Sequence, residues 1–449
     1  MTQGYPPLAE LHVHLGGCLD YRGCLALIQG REHPDWARYE TGYSRAFGRD
    51  STARAVVARS LAGDPTAEAA FRSVFEFRDP DGGHFDRFQA KFDLINVGFG
   101  LTETGWSGLT EALTVDAFTA LEAHVHRAQS AQGVDLVETR VYLRGAPVSR
   151  ARAVLSALLT ACASNRPGPR RQMVLSLSRE DPWPHWKMVE ALALQPLGEH
   201  LIGVDFCHVE EGHPPKANRA FFDDLRRFNK AHPERALALL YHVGESFNDK
   251  SLESAVRWVV EVAEAGAHRL GHAVALGIDP AHFGPHRRTE SVAERLDQIA
   301  YELTHREGLT AHGAPIDGDA LSAERAALVG RSPTASIDVI YDETRLETVR
   351  AHQRFGAERV KAGGAVVEVC PTSNRRIAGL RDDALHPIHR FVEWGVPFVV
   401  ASDDPGLFGV TLSSELEYAC AMVDGGRLEV ETLRERAWRY RSEALVHRV

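Results

Sequence analysis

Cysteine, basic charge and long apolar runs are all scarce in this sequence, and each shortage removes a class of protein. Six cysteines (Cys18, Cys24, Cys162, Cys207, Cys370 and Cys420) are scattered over 449 residues without a C-x-x-C pair. They read as packed thiols of a reducing compartment, not as a disulfide framework. No uncharged apolar stretch approaches the ~20 residues needed to cross a bilayer. The opening Met-Thr-Gln-Gly-Tyr-Pro-Pro has neither the basic start nor the apolar run of a signal peptide. A cytoplasmic protein without membrane contact is expected. Lys and Arg number 51 against 61 Asp and Glu, a net charge of −10, which argues against wrapping duplex nucleic acid. A small anionic ligand stays open, because one or two local arginines suffice for it. Neither G-x-G-x-x-G nor G-x-x-x-x-G-K occurs, so the phosphate-binding glycine turn of a doubly wound nucleotide fold is missing.

What is present is a globular balance of 44% hydrophobic and 25% charged residues, with a regular alternation along the chain. Short apolar runs at 8–15, 134–142, 172–177, 201–206, 236–243, 268–272, 365–369 and 397–401 are separated by helical patterns. Ser251 can cap a helix whose Leu252, Ala255, Val256, Val259 and Val260 form one stripe, ended by Gly266. Phe221, Phe222, Leu225 and Phe228 form another stripe. Eight runs with helices between them suggest an α/β chain folded as a (β/α)8 TIM barrel, whose chemistry sits at the C-terminal strand ends. A doubly wound sheet is the structural alternative. Residues 1–449 then form a single barrel with two long insertions, about 18–110 after the first strand and about 274–350 after the sixth. Helical stretches are expected near 291–307 and 319–329 of the second. Both insertions belong at the C-terminal face, as candidate lids or subunit contacts of a homo-oligomer.

The chain is organised around Glu10-Leu11-His12-Val13-His14-Leu15-Gly16-Gly17. Side chains two apart on a strand leave the same face, so His12 and His14 point together where the backbone turns. Alone, an H-x-H is weak evidence. Four further runs end in the same way, at His242-Val243-Gly244-Glu245, Gly271-His272, Glu368-Val369-Cys370-Pro371-Thr372-Ser373-Asn374 and Ser402-Asp403-Asp404. Two histidines from one strand with a histidine and a carboxylate from others make an N/O site that suits one zinc ion with a water in the open position. Such a water ionises near neutral pH and serves hydrolysis. Glu245 is placed to move a proton, His272 to orient the nucleophile and Asp404 to bond substrate.

This ordered set resembles the adenosine/AMP deaminase family of the metal-dependent amidohydrolase superfamily. The matching pieces are Glu-Leu-His-Val-His-Leu, His-Val-Gly-Glu, Arg-Leu-Gly-His, Cys-Pro-Thr-Ser-Asn and Ser-Asp-Asp-Pro. Residues 87–93 resemble the family's lid segment. The resemblance implies a (β/α)8 barrel with zinc on His12, His14, His242 and Asp403. It also implies that Glu245 protonates purine N1, His272 serves the hydroxide and Asp404 faces N7, while water attacks C6 and ammonia leaves. The partner would be a purine nucleoside or nucleotide. Only eleven residues precede His12, too few for the flanking β-sandwich of other amidohydrolases, and the fourth strand lacks a lysine for a bridging carbamate. A mononuclear site is expected.

Departures fall on positions that touch substrate. Gly16 stands where nucleoside deaminases carry an acidic residue for the ribose, and His208 where they use a glycine toward the purine. Arg375 and Arg376 can supply charge for a phosphate, or form a solvated basic turn. Deamination of another aminated heterocycle, such as free adenine or a modified adenine, is the first alternative. A non-catalytic assembly protein on the same barrel is the second. Other histidines fit less well. His124 and His126 diverge on a helical pattern and read as surface residues, His386-Pro387-Ile388-His389 reads as a helix start, and His213 as a pocket residue. Cys370 reads as a packed strand residue. Glu138 and Arg140 point inward, to an ion pair or to substrate.

Overall fold

The computed structural model describes residues 6–100, 110–423 and 426–447. Residues 101–109, which close the first insertion of the sequence reading, lie outside the described residues. Eight strands form one sheet: β1 (Leu8–His14), β2 (Val134–Tyr142), β3 (Arg170–Ser176), β4 (Leu201–Asp205), β5 (Ala238–Val243), β6 (Arg269–His272), β9 (Val366–Val369) and β10 (Phe398–Val400). Two more, β7 (His286–Ser291) and β8 (Ser336–Tyr341), pair antiparallel in a separate hairpin. The eight occur in chain order and every pairing is parallel. Only Val13 and Asp403 bridge the first strand to the last. There His14 N–H donates to Asp403 O (3.1 Å) and Asp403 N–H to His12 O (2.9 Å). The seam of this (β/α)8 barrel therefore passes through the site residues themselves.

Strand burial explains the continuous apolar runs, since each strand is covered by helices outside and by its neighbours inside. The helix Leu252–Glu264 starts where Ser251 Oγ accepts from Ser254 N–H (3.1 Å), and Gly266, at φ +91°, takes the chain out of it. Inside the barrel lies a charged layer. Arg269 pairs with Glu138 (2.5 Å) and Glu368 (2.6 Å), and Arg140 pairs with the same Glu368 (2.6 Å), all fully buried. So Glu138 and Arg140 form internal ion pairs, and Arg140 stands in register with His14 on the neighbouring strand.

The two insertions go to different places. The first carries the helices Tyr21–Gln29, Ala37–Phe47, Ala53–Leu61, Ala67–Phe75 and Phe85–Phe99, and the last of these lies across the barrel mouth. The second carries the β7–β8 hairpin with the helices Val292–Thr304, Arg306–Ala311 and Gly318–Leu328. It grips the start of the helix Leu252–Glu264: Tyr341 Oη donates to Glu253 (2.5 Å) and accepts from Leu252 N–H (2.8 Å), and Glu290 accepts from Ser251 N–H (3.1 Å). Among the described residues no helix is long and apolar enough to cross a membrane. All six cysteines are free thiols, five of them buried.

Candidate active site

At the C-terminal mouth of the barrel a cavity of about 540 Å3 opens over the ends of β1, β2, β4, β5, β6 and β10. At its floor His12, His14, His242 and Asp403 each turn one donor atom inward, and these four atoms lie within 4.8 Å of one another. His14 Nε2 stands 3.2 Å from His242 Nε2 and 3.3 Å from Asp403 Oδ1; His12 Nε2 stands 3.4 Å from the same oxygen. Ligands about 2.0–2.1 Å from a tetrahedral ion stand roughly 3.3 Å apart, so the spacing fits. His12 Nε2 is buried and has no hydrogen-bond partner, although buried polar atoms are nearly always satisfied. The opposite ring nitrogens are held: His12 Nδ1 by Glu368 (2.8 Å) and His242 Nδ1 by Asp205 (3.0 Å). A carboxylate behind each imidazole fixes its tautomer and leaves Nε2 free for an ion. This donor set can hold a divalent metal.

Beside it, His272 Nδ1 bonds Asn374 Oδ1 (2.8 Å), and its Nε2 lies 3.5 Å from Glu245 Oε1. Burial pushes the Glu245 carboxyl up to about 7, against His272 and with Asp403. Burial works to lower His272, but Glu245, Asp403 and Asn374 outweigh it and raise the imidazole. Asp404 is raised well above the carboxylate range by burial and by Asp403, and its Oδ1 is another buried oxygen without a partner. Asp403, by contrast, is held well below it despite burial, through the close approach of the His12 and His14 imidazoles. His272 and Asp403 adopt φ of +65° and +60°. Such left-handed backbone costs a non-glycine residue on the order of 1 kcal/mol and collects at functional sites. The chain turns sharply there because strand ends must aim side chains across the barrel rather than along it. Gly17 is required for another reason: a Cβ there would stand 1.5 Å from Asp404 Oδ1.

Gly16 and His208 line the cavity wall. The space above Gly16 is taken by Phe92 of the helix Phe85–Phe99, whose ring would lie 3.1 Å from an added Cβ. An apolar ring from the insertion thus occupies the side on which an acidic group was expected. His208, at φ +73°, bonds through Nε2 to Arg144 Nη1 (2.7 Å). Arg375 and Arg376 are neither a solvated turn nor part of the cavity lining. Both bond Asp79 (2.5 and 2.9 Å), and Arg376 also bonds the carbonyls of Phe77 and Phe408, tying the first insertion to the barrel. His126 is buried rather than on the surface, bonded to Pro167 O (2.9 Å). His386 precedes the short helix Ile388–Glu393 and accepts from Ile388 N–H. Burial pushes the Cys370 thiol well up, which leaves it packed and unreactive.

Sequence reasoning did not pick out Asp205, Arg38 or Arg144, and it gave Asn374 and Phe92 no role of their own within the motif and lid segment that contain them. Asp205 had a signal, a lone carboxylate ending an apolar strand. The others lie on helices and loops whose position depends on packing.

The comparisons with known proteins agree with this geometry. The adenosine deaminase family model matches residues 352–440. An aminodeoxyfutalosine deaminase of Acidothermus cellulolyticus is 41% identical over 63 residues, 14% of this chain and 18% of that protein. An adenine deaminase of Rhizobium johnstonii is 31% identical over 133 residues, 28% of this chain and 36% of that protein. These matched stretches therefore span well under half of those relatives. Over the whole chain the likeness is one of fold. The adenine deaminase from Arthrobacter aurescens covers 98% of this chain and 97% of its own at a TM-score of 0.50 and 19% identity. The Arabidopsis N6-mAMP deaminase covers 98% and 94% at 0.53 and 16%. The C-terminal segment is thus similar to the adenosine deaminase family model, and the whole chain shares the barrel fold of these deaminases.

Proposed function

We propose that this chain hydrolytically deaminates a 6-aminopurine nucleoside or nucleotide, with one zinc ion held by His12, His14, His242 and Asp403. The observation that supports this most is the convergence of three imidazole nitrogens and one carboxylate on a point faced by Glu245, His272 and Asp404. When bound, the ion lowers the pKa of a water and so supplies the nucleophile near neutral pH. The net reaction adds water across C6, breaks the C6–N bond and releases ammonia, leaving a 6-oxopurine. Glu245, poised near 7, donates its proton to a ring nitrogen as C6 becomes tetrahedral. His272, oriented by Asn374, accepts the proton that the attacking water must lose. Asp404, whose carboxyl burial and Asp403 both raise, faces the far side of the ring as its hydrogen-bond partner. The apolar rings of Phe88, Phe92 and Phe118 on the wall press the purine toward the floor and displace water from its faces.

Ammonia release from adenosine, deoxyadenosine, AMP, ATP and adenine, with zinc-loaded protein, tests this reading. Turnover of a nucleoside or nucleotide supports it, and turnover of free adenine alone would replace it with the second reading. That second reading is favoured by the adenine deaminase match and by the absence of an acidic side chain at Gly16. The cavity volume weighs against it, because about 540 Å3 falls in the range that accepts a whole drug-sized ligand, roughly 300–1,000 Å3. Metal-loaded protein that released no ammonia from any of the five would point instead to a binding scaffold.

A further inference from the structure

Glu245 leaves the chain on a turn that is held from three sides. From the turn after β6, Ala273 N–H donates to Val243 O (3.1 Å) and Ala275 N–H to Gly244 O (2.9 Å). From the loop after β3, Arg179 Nη2 donates to His242 O (2.7 Å) and to Phe206 O (3.0 Å). From the loop after β4, Glu210 accepts from Gly244 N–H at one carboxylate oxygen (2.9 Å) and from Glu245 N–H at the other (3.2 Å). Gly244 adopts φ +68°. A left-handed glycine turns successive N–H groups toward one side, and the concavity they make suits an anion. The Glu210 carboxylate fills it with one oxygen for each N–H. Burial raises this carboxyl, and Lys250, Arg179 and the Gly244 N–H act the other way.

We infer that Glu210 is a positioning residue for the deamination, holding the 244–245 turn so that the Glu245 carboxyl meets the ring nitrogen while standing beside His272. This rests on the proposed function above. Glu210 is buried and does not line the cavity, so it acts on a bound purine only through what it holds. Joining the two loops does not require it. Its neighbour Glu211 accepts from Ser246 Oγ and from Asn248 N–H (3.4 Å), and Asp249 accepts from Gly212 N–H (2.8 Å). Those bonds tie the same loops away from the reacting group, whereas Glu210 bonds the two peptide units from which the Glu245 side chain departs. The physical reason is reach. Proton transfer requires donor and acceptor within about 2.6–3.2 Å, and Glu245 Oε1 already stands 3.5 Å from His272 Nε2. A side chain is a lever, so a tilt of the Gly244 peptide displaces the carboxyl more than the backbone.

The test is steady-state ammonia release by zinc-loaded protein, on whichever of the five purines turns over fastest. Glu210→Gln keeps the size, but one of its two positions becomes a donor facing a backbone N–H. Its kcat is expected to fall about 10–100-fold, with KM, and zinc affinity in a chelator competition, within about threefold of wild type. Glu210→Asp keeps both oxygens on a shorter arm, and its kcat is expected between those of wild type and Glu210→Gln. It carries the same prediction of direction should Glu210→Gln not fold. Glu211→Gln loosens the same loops elsewhere, and is expected to lower the unfolding temperature while leaving kcat unchanged. The deciding measurement is a double variant. With Glu245→Gln in place, adding Glu210→Gln should change kcat by no more than about twofold, because the group it positions is gone. A further loss as large as that of the single variant, or an equal loss of kcat in Glu211→Gln, would show a general structural role and overturn the inference. An unchanged kcat in Glu210→Gln beside an active wild type would overturn it too, and leave deamination standing. A wild type that released no ammonia from any purine would remove deamination itself, and the inference with it.

Discussion

At the floor of the cavity three reactive imidazoles are each held from behind by a second side chain, whereas at the roof Phe88 and Phe92 are held by packing. Glu368 holds His12, Asp205 holds His242 and Asn374 holds His272. Glu368 in turn is gripped by Arg140 and Arg269 from two other strands. Above them Phe88 and Phe92 lie on a single helix of the first insertion, in contact with one another, and Phe88 stacks on Phe408. The β7–β8 hairpin of the second insertion clamps a flanking helix instead. The difference suggests a division of labour: changes at the floor should alter chemistry on any substrate, and changes at the roof should alter which substrate enters.

The largest effect expected is at the floor. Glu245→Gln keeps the shape but removes the titrating proton, and kcat should fall about 10²–10⁴-fold for every purine turned over. Steady-state ammonia release checks this, and a loss confined to one substrate would break the comparison. Next, Glu368→Gln withdraws a charge from two buried arginines and from His12 at once. It should cost about 3–5 kcal/mol in urea unfolding and weaken zinc binding about 10–100-fold in a chelator competition.

Glu415 lies behind the floor, where it accepts from Thr372 N–H (2.8 Å) and Thr372 Oγ1 (2.6 Å), and burial pushes it up to about 7. Between about pH 4.5 and 7 the folded chain holds a proton that the unfolded chain has released, so stability falls as pH rises through that window. The shift corresponds to about 3 kcal/mol, and Glu415→Gln should remove that part of the slope in unfolding measured at pH 4.5, 6 and 7.5. At the roof, Phe92→Ala opens the space above Gly16. KM should rise about tenfold, about 1.4 kcal/mol, with kcat little changed. A drop in kcat alone would mean that the roof takes part in the chemistry. The smallest effect belongs to the second insertion. Tyr341→Phe leaves Leu252 N–H without its partner and Glu253 with Arg345 alone (3.0 Å), for about 1 kcal/mol in thermal unfolding. Turnover should not change.

The same contrast explains how much could be read without coordinates. The strand ends carrying His12, His14, His242, His272, Asp403 and Asp404 were legible because period-two alternation and apolar run length are local properties of the chain. All eight barrel strands lie within two residues of their expected bounds, for the same reason. The β7–β8 hairpin escaped notice because its strands are polar on one side and separated by more than forty residues. Arg140 left two options open, and only the position of Glu368 on a strand 228 residues away decided for the ion pair. Arg375 and Arg376 looked like phosphate ligands by nearness in sequence, but Asp79 reached them first through the first insertion.

By itself, then, the order of residues determined the barrel, the donor types at its rim and the chemistry they suit, since each follows from which side chains share a strand face and where a strand stops. The tertiary structure alone decided that Phe92 covers Gly16, that His208 meets Arg144, and that one insertion roofs the cavity while the other braces its flank. Those outcomes depend on contacts between segments tens to hundreds of residues apart, and no local pattern in the chain encodes which of the available surfaces will meet.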